Sequence, residues 1–166
     1  MEAARQATVD DLDELVHLAG AAIHELRAAK GGELWFRRHS RPQPLAASLR
    51  SSLDDDEQLV AVGTIDDTIV GYGAVRLDVL ADGERLAVVD DLFVLPGARG
   101  VGVGEVTMDL LLAWSEAAGA VGIDSIALPG MRDTKNFFER FGLVARAILV
   151  HRSLVPTVEP PPEPAP

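Results

Sequence analysis

A chain of 166 residues, 48% apolar and 25% charged, has the size and composition of one compact domain with a full core, which excludes a repeat array and a disordered chain. Its 26 Asp and Glu against 15 Lys and Arg give a formal net charge of −11, a surface that repels nucleic-acid phosphates and suits a cationic small molecule or a basic peptide. The absence of Cys rules out disulfides, a Cys₄ zinc site and a thiol nucleophile. No apolar run reaches the roughly 18 residues of a membrane helix, and Met1-Glu2-Ala3-Ala4-Arg5 lacks a signal-peptide core, so no membrane association and a cytoplasmic location are expected.

Periodicity predicts the order βααβββαβαβ. Residues 3–8 form a short strand, and Asp10 and Asp11 open a helix that carries Leu12, Leu15, Val16, Leu18, Ala19 and Ile23 at helical spacing to about Ala29. Gly31-Gly32 breaks it. Residues 33–44 read as irregular, with a shorter helix at 45–53. Strands at 58–65, 68–78 and 85–94, separated by Asp66-Asp67 and Ala81-Asp82-Gly83 turns, are antiparallel neighbours because their loops are short. From Gly102 the period becomes helical, with Val106, Leu110, Ala113, Trp114 and Ala117 on one face and Gly119 at the end. A strand at 123–128, a helix at 132–141 closed by Gly142 and a last strand at 143–152 complete a domain over 1–154. Residues 155–166 are Pro-rich, and proline permits neither helix nor ladder, so they read as a disordered tail. A mixed sheet with helices on its faces buries all of these apolar stripes.

The stretch with most chemical content is Asp90-Asp91-Leu92-Phe93-Val94-Leu95-Pro96-Gly97-Ala98-Arg99-Gly100-Val101-Gly102-Val103-Gly104, a strand that runs through a Gly-rich turn into a helix. Such a turn lets a ligand approach the backbone, and the unpaired amides of the first helical turn attract phosphate. A Walker loop would end in Gly-Lys-Ser/Thr, and the dinucleotide fingerprint needs a third Gly where this chain has Glu105 or Thr107, so neither fits. The alternative is a purely structural tight turn.

Arg99-Gly100-Val101-Gly102-Val103-Gly104, with Val94 and Pro96 ahead of it, resembles the Arg/Gln-x-x-Gly-x-Gly/Ala loop of the GNAT superfamily of acetyl-CoA-dependent N-acetyltransferases. Asn136-Phe137-Phe138-Glu139-Arg140-Phe141-Gly142-Leu143 is similar to a second segment of that family, Phe-Tyr-Glu-Lys-x-Gly-Phe. The resemblance implies an α/β fold with a mostly antiparallel sheet of six to seven strands, helices on both faces and a splayed central strand pair. It further implies acetyl-CoA as co-substrate and an amine acceptor, a small molecule or a peptide. The cofactor role falls to Arg99, Gly100, Val101, Gly102, Val103 and Gly104 for the pyrophosphate and to Val94 for the pantetheine arm. Two positions depart from the family: its Tyr, a general acid toward the leaving thiolate, is Phe138, and an Asn of the second segment is Met131. Asn136 is a candidate for a polar contact to the cofactor, with a helix-terminal or solvent-facing role standing beside it.

An amine attacks only after losing a proton, since an alkylammonium has a pKa of about 10. Asp90 and Asp91 lie on an otherwise apolar strand, where alternation predicts opposite faces, Asp90 sharing parity with Val94. Aminoglycoside acetyltransferases of the GNAT superfamily place an acidic base at the position Asp90 matches, so Asp90 is the preferred catalytic base and Asp91 the second. The alternative is that both carboxylates are structural partners of Arg or backbone amides. His24, near Glu25 on the first helix, and Trp35 and Tyr72, as an aromatic slot for a cation, are the substrate-binding candidates. His39 and His151 stand at no metal-ligand spacing, so no metal is expected. The sequence therefore predicts an N-acetyltransferase. An acyl-CoA-binding module without catalysis and an interaction subunit that keeps the fold are the alternatives, and a homodimer is compatible with each.

Overall fold

The structure, a computed structural model, describes residues 1–154, so the Pro-rich segment 155–166 lies outside the described residues. Five strands, β1 (Glu2–Gln6), β2 (Gln58–Ile65), β3 (Thr68–Val79), β4 (Arg85–Val94) and β5 (Ala120–Ser125), form one sheet in chain order. The first four pair antiparallel, and β5 joins β4 in parallel after the crossover helix α4 (Val103–Ala117).

Alternation on β2 and β3 sends two sets of side chains to two cores. Val60, Val62, Tyr72 and Ala74 face α1 (Leu12–Arg27) and α3 (Leu45–Leu53), where Leu15, Leu18, Ala19 and Leu49 close over them. Leu59, Ala61 and Val75 face α4 and α5 (Arg132–Arg140), packed by Met108, Leu111 and Phe138. Gly63 and Gly71 are cross-strand partners beneath α4, and a Cβ on Gly63 would stand 2.5 Å from Thr107 Oγ1 and 2.7 Å from Val103 Cγ1. This bare backbone lets the first turn of α4 rest directly on the sheet and fixes where that turn presents its amides.

The mixed sheet with helices on both faces is as the sequence predicts, but it has five strands rather than six or seven. The sequence-predicted last strand, 143–152, does not join the sheet, and β5 sits three residues ahead of its expected place. Register explains the shift: Arg85 pairs with Ala120 and Val89 with Ser125, after which the chain leaves β4. Residues 33–44 are also more regular than expected. α1 ends at Arg27, and after a short turn Gly31, in the left-handed region at φ 78°, caps the start of α2 (Gly32–His39), which is held back on α1 by a two-bond Arg27–Glu33 ion pair and by Arg27 over the Phe36 ring at 4.2 Å.

One buried carboxylate ties β1 to the start of α1. Asp11 accepts two 2.7 Å bonds from the Arg5 guanidinium and one of 2.8 Å from the Thr8 amide. The Arg5 hydrogen bonds, aided by the Thr8 amide and opposed by burial, lower its pKa from 3.8 to about 2. A depressed carboxylate pKa stabilises the fold above the unfolded value and loses that contribution as pH falls through the folded one. Asp11→Asn should therefore cost about 1–2 kcal/mol at neutral pH, the lower figure reflecting solvent screening of half-exposed Arg5. In urea unfolding, the gap between variant and parent should close as pH drops from about 4 toward 2.

Candidate active site

The parallel β4–β5 ladder ends at Val89–Ser125, while β4 runs on to Val94 with its other edge still paired to β3. β4 and the edge strand β5 therefore splay, and one edge of residues 90–94 opens into a cleft of about 1080 Å³. The cleft is bounded at one end by Gly100, Gly104 and Phe137, and at the other by Trp35 and the segment 38–44.

The cradle end follows from the glycines. Gly100 and Gly102 have φ of 81° and 104°, the left-handed region that a Cβ disfavours, and their turn swings the chain from β4 into α4. Val106 N donates to Gly102 O at 3.0 Å as the first bond of the helix, which leaves the Val103, Gly104 and Glu105 amides without an intrahelical acceptor. These donors and the positive end of the α4 dipole are the groups there that could hold an anion. A Cβ on Gly104 would meet the Phe137 ring at 3.3 Å, so this glycine keeps the cleft open. Of the predicted cradle residues, Arg99, Gly100 and Gly104 line the cleft, as does Val94. Val103 instead packs into the core, Val101 is half exposed away from the cleft, and Gly102 acts through its backbone turn.

Arg99 links β4 to α1. Its Nε donates to the Val94 carbonyl at 2.8 Å, its Nη2 meets Glu25 Oε2 at 2.7 Å, and its guanidinium lies 5.3 Å from the Phe93 ring centre. The Val94 carbonyl that the resemblance assigns to pantetheine is thus held by Arg99. Asn136 does not line the cleft; Thr134 and Met131 from the same region do. Phe138 is buried in the α4–α5 core.

Alternation fails at the two aspartates. Ala74 pairs with Asp91 and Val75 with Val89, so Asp90 has no partner on β3 and forms a β-bulge. Before the bulge, Ala87 and Val89 face α4; after it Leu92 does, while Phe93 faces α1. The expectation that Asp90 and Asp91 point to opposite faces is therefore corrected, and both line the same cleft.

Their surroundings differ. The Asp91 side chain, 12% exposed, receives Arg41 Nη2 at 2.6 Å and Nε at 3.0 Å, while Arg41, 7% exposed, also donates to Ser52 Oγ at 2.9 Å. Asp91 is therefore largely covered, and both of its bonds from Arg41 fall on Oδ2. Asp90 is 35% exposed and meets Arg76 Nε at 2.9 Å, and Arg76 is shared with Asp78. Burial raises the Asp90 pKa above the usual carboxylate value, outweighing the opposing charge of Arg76. A partly exposed carboxylate with a raised pKa is the better proton acceptor of the two.

Two substrate-binding expectations need correction. Tyr72 is fully buried, packed among α1 and α3 side chains rather than lining a slot, because β3 alternation turns it into the core. Its hydroxyl has no hydrogen-bond partner and faces the Arg41–Asp91 pair, and burial pushes its pKa well above the phenol range. His24 is exposed on α1 and outside the cleft, which its neighbours Glu25 and Leu26 line. Trp35 lines the cleft as expected. Arg41 and Arg76, which pair with the aspartates, carry no motif; a cation is legible as a partner only once the fold brings it to β4. No group of three or more potential ligands able to hold a metal occurs among the described residues, and none of the described helices is long and apolar enough to cross a membrane.

Residues 21–143 match the Acetyltransferase (GNAT) family, and the chain belongs to that family. No curated protein matches its sequence. Among solved structures, the fold is similar to a transcriptional regulator from Bacillus halodurans C-125, with TM-score 0.70, 19% identity and 93% and 100% of the two chains covered. It is also similar to AAC(6')-Iy in complex with the bisubstrate analog CoA-S-monomethyl-acetylneamine, with TM-score 0.69, 17% identity and 93% and 99% coverage. A third is glucosamine-6-phosphate N-acetyltransferase from Arabidopsis thaliana, with TM-score 0.65, 17% identity and 93% and 99% coverage. At these identities the likeness is one of fold.

The cradle yields a direct prediction. Gly104→Glu places a carboxylate among the free amides of α4, at a helical position where the backbone is unstrained and the neighbouring Phe137 ring can yield. Acetyl-CoA affinity by calorimetry should fall at least tenfold, about 1.4 kcal/mol, with thermal stability little changed. Unaltered affinity in the folded variant would return the glycines to a purely structural role.

Proposed function

We propose that this chain is an acetyl-CoA-dependent N-acetyltransferase that acetylates a primary amine by direct attack in a ternary complex. One observation carries the reading: a single cleft joins an anion cradle, the unpaired edge of β4 and a carboxylate of raised pKa. Acetyl-CoA supplies the acetyl group as a thioester. The Gly104 and Glu105 amides hold its phosphates, and the open edge of residues 90–94 orients its arm, which requires Arg99 to release the Val94 carbonyl. The acceptor enters past Trp35 and segment 38–44. Asp90, directly or through one water, takes the amine proton as the nitrogen bonds to the acetyl carbon and the carbon–sulfur bond breaks. With Phe138 unable to donate, solvent protonates the leaving thiolate, which at a free pKa of about 8.5 is a tolerable leaving group. The absence of Cys excludes an acyl-cysteine intermediate.

Phe138 also favours a second reading, an acyl-CoA-binding module without catalysis. Calorimetry with acetyl-CoA combined with thiol release across a panel of primary amines separates the two: binding with turnover supports transfer, binding without turnover supports the module, and no binding sinks both. The same assay tests the acceptor's charge. Glu25, Asp90, Asp91 and Glu105 on the cleft wall are each paired with an arginine, so the pull on a cationic acceptor comes from Asp133, which also lines the cleft, and from the −11 charge of the whole chain. kcat/KM for a cationic amine should then fall with rising salt while kcat holds.

A further inference from the structure

We infer that the acceptor amine carries an anionic group of its own, a carboxylate or a phosphate, which Arg38 and the serine face of α3 bind; the inference rests on the transferase reading above and gives its acceptor a chemical class. Five arginines line the cleft. Arg41, Arg76, Arg99 and Arg140 each meet a carboxylate, on Asp91, Asp90, Glu25 and Glu105 in that order. Arg38 is exposed and has no ion pair or hydrogen bond among the described residues.

The sequence around Arg38 keeps it unpaired. Residues 34–53 hold Arg37, Arg38, Arg41 and Arg50 and no Asp or Glu, in a chain of net charge −11. Glu33, just ahead of them, is taken by Arg27. Every carboxylate that lines the cleft lies outside this stretch, on α1, β4, α4 or α5. Charge is therefore segregated by element: the acids come from the body of the domain, and the wall built by α2 and α3 has none. A merely solvated wall mixes both signs.

Two helices turn matching faces to the cleft. Trp35, Arg38 and His39 stand at i, i+3 and i+4 on α2, and Ser48, Ser51 and Ser52 have the same spacing on α3; all six line the cleft. The Ser48 and Ser52 hydroxyls accept from Arg41 Nη1 at 3.3 and 2.9 Å, which leaves their own protons to donate. The wall thus offers a guanidinium fork, whose geometry matches two oxygens of a carboxylate or phosphate, beside a row of O–H donors. Asp90, from β4, receives the proton of the amine, so a molecule that bears both an ammonium and an anion satisfies both sides. The −11 charge draws the ammonium at long range, while the donor wall acts at contact and selects among amines.

Alkylamines of equal chain length that end in an alcohol, a carboxylate, a phosphate or a second amine test the inference, with chain length varied across the set. At the best length, kcat/KM for the carboxylate or the phosphate should exceed that for the alcohol about tenfold, or about 1.4 kcal/mol. Whichever anion leads identifies the source. Arg38→Ala should bring alcohol and anion to parity, and Arg38→Glu should turn the preference toward the diamine. Arg37→Ala, a neighbouring cation that does not line the cleft, should leave the preference as it is. An unsubstituted chain that prefers the diamine or the alcohol overturns the inference. So does an anion preference that survives Arg38→Ala or falls equally with Arg37→Ala. If acetyl-CoA binds and no amine turns over, the transferase reading fails separately. Calorimetry of the same amines on CoA-saturated protein then reads the anion preference and its loss in Arg38→Ala, and equal affinity for alcohol and anions overturns the inference there.

Discussion

Asp90→Asn should lower the acetylation rate at neutral pH by roughly 10²–10⁴ while acetyl-CoA affinity stays within twofold. The substitution keeps the size of the side chain and its ability to accept a bond from Arg76, but removes the charge that takes the proton. Because burial raises the Asp90 pKa, the parent enzyme should lose activity from a higher pH than an ordinary carboxylate would dictate: protonation removes the base as pH falls through the raised value, and activity returns above it. The variant should lack that acidic limb. It should instead gain as pH climbs toward the pKa of the free amine, about 10, where the acceptor arrives deprotonated. A variant with full neutral activity and an unchanged acidic limb would move the base elsewhere and leave a bound water as the proton acceptor.

The bulge at Asp90 marks the boundary of what was legible in the sequence. The cradle could be read from local signals, since the glycines, the preceding strand and the helical period after Gly102 lie within one short stretch. The sheet order was likewise legible because short turns force antiparallel neighbours. Alternation is also a local signal, but it holds only while each residue has a partner. Nothing in Val88-Val89-Asp90-Asp91-Leu92 says that β3 will skip one residue, and that skip decides which carboxylate stays available. Tyr72 fails for a related reason: an aromatic on a strand reads equally as slot or core until its face is known, and the α1 and α3 side chains settle it.

The missing last strand has another physical origin. Residues 143–152 have the apolar, branched composition of a strand, and strand propensity reports fitness for a half-buried pleated surface rather than the presence of one. Such a segment needs an edge to pair with, and the sequence specifies the need without specifying the partner. The same logic applies to α2, where no strong apolar period distinguishes residues 32–39; the Arg27–Glu33 pair and the Arg27–Phe36 contact hold it in place, and both need the turn after α1 to bring α2 back on it.

Arg41→Met should destabilise the protein by about 3–5 kcal/mol, the cost of leaving a buried charge without its partner. Arg41 comes from a polar stretch of unremarkable composition, yet its side chain is the more buried member of the ion pair at the base of the cleft. Its removal strands the Asp91 carboxylate beside the Tyr72 hydroxyl, which already has no hydrogen-bond partner. It also frees the Ser48 and Ser52 hydroxyls, which receive Arg41 Nη1 at 3.3 and 2.9 Å, so the segment 40–44 loses its tie to both α3 and β4. That segment walls the acceptor end, so KM for the amine should rise while acetyl-CoA affinity, set at the other end of the cleft, should not. Asp91→Asn should be less costly than Arg41→Met, since the amide oxygen still accepts a bond from the Arg41 guanidinium. The decisive measurement is the double variant Arg41→Met/Asp91→Leu in urea unfolding. If the pair is a charge partnership, removing both members should recover most of what Arg41→Met loses, a coupling of about 2–3 kcal/mol. If the two losses simply add, Arg41 acts through packing alone, and Asp91 regains its standing as a carboxylate free to accept the proton.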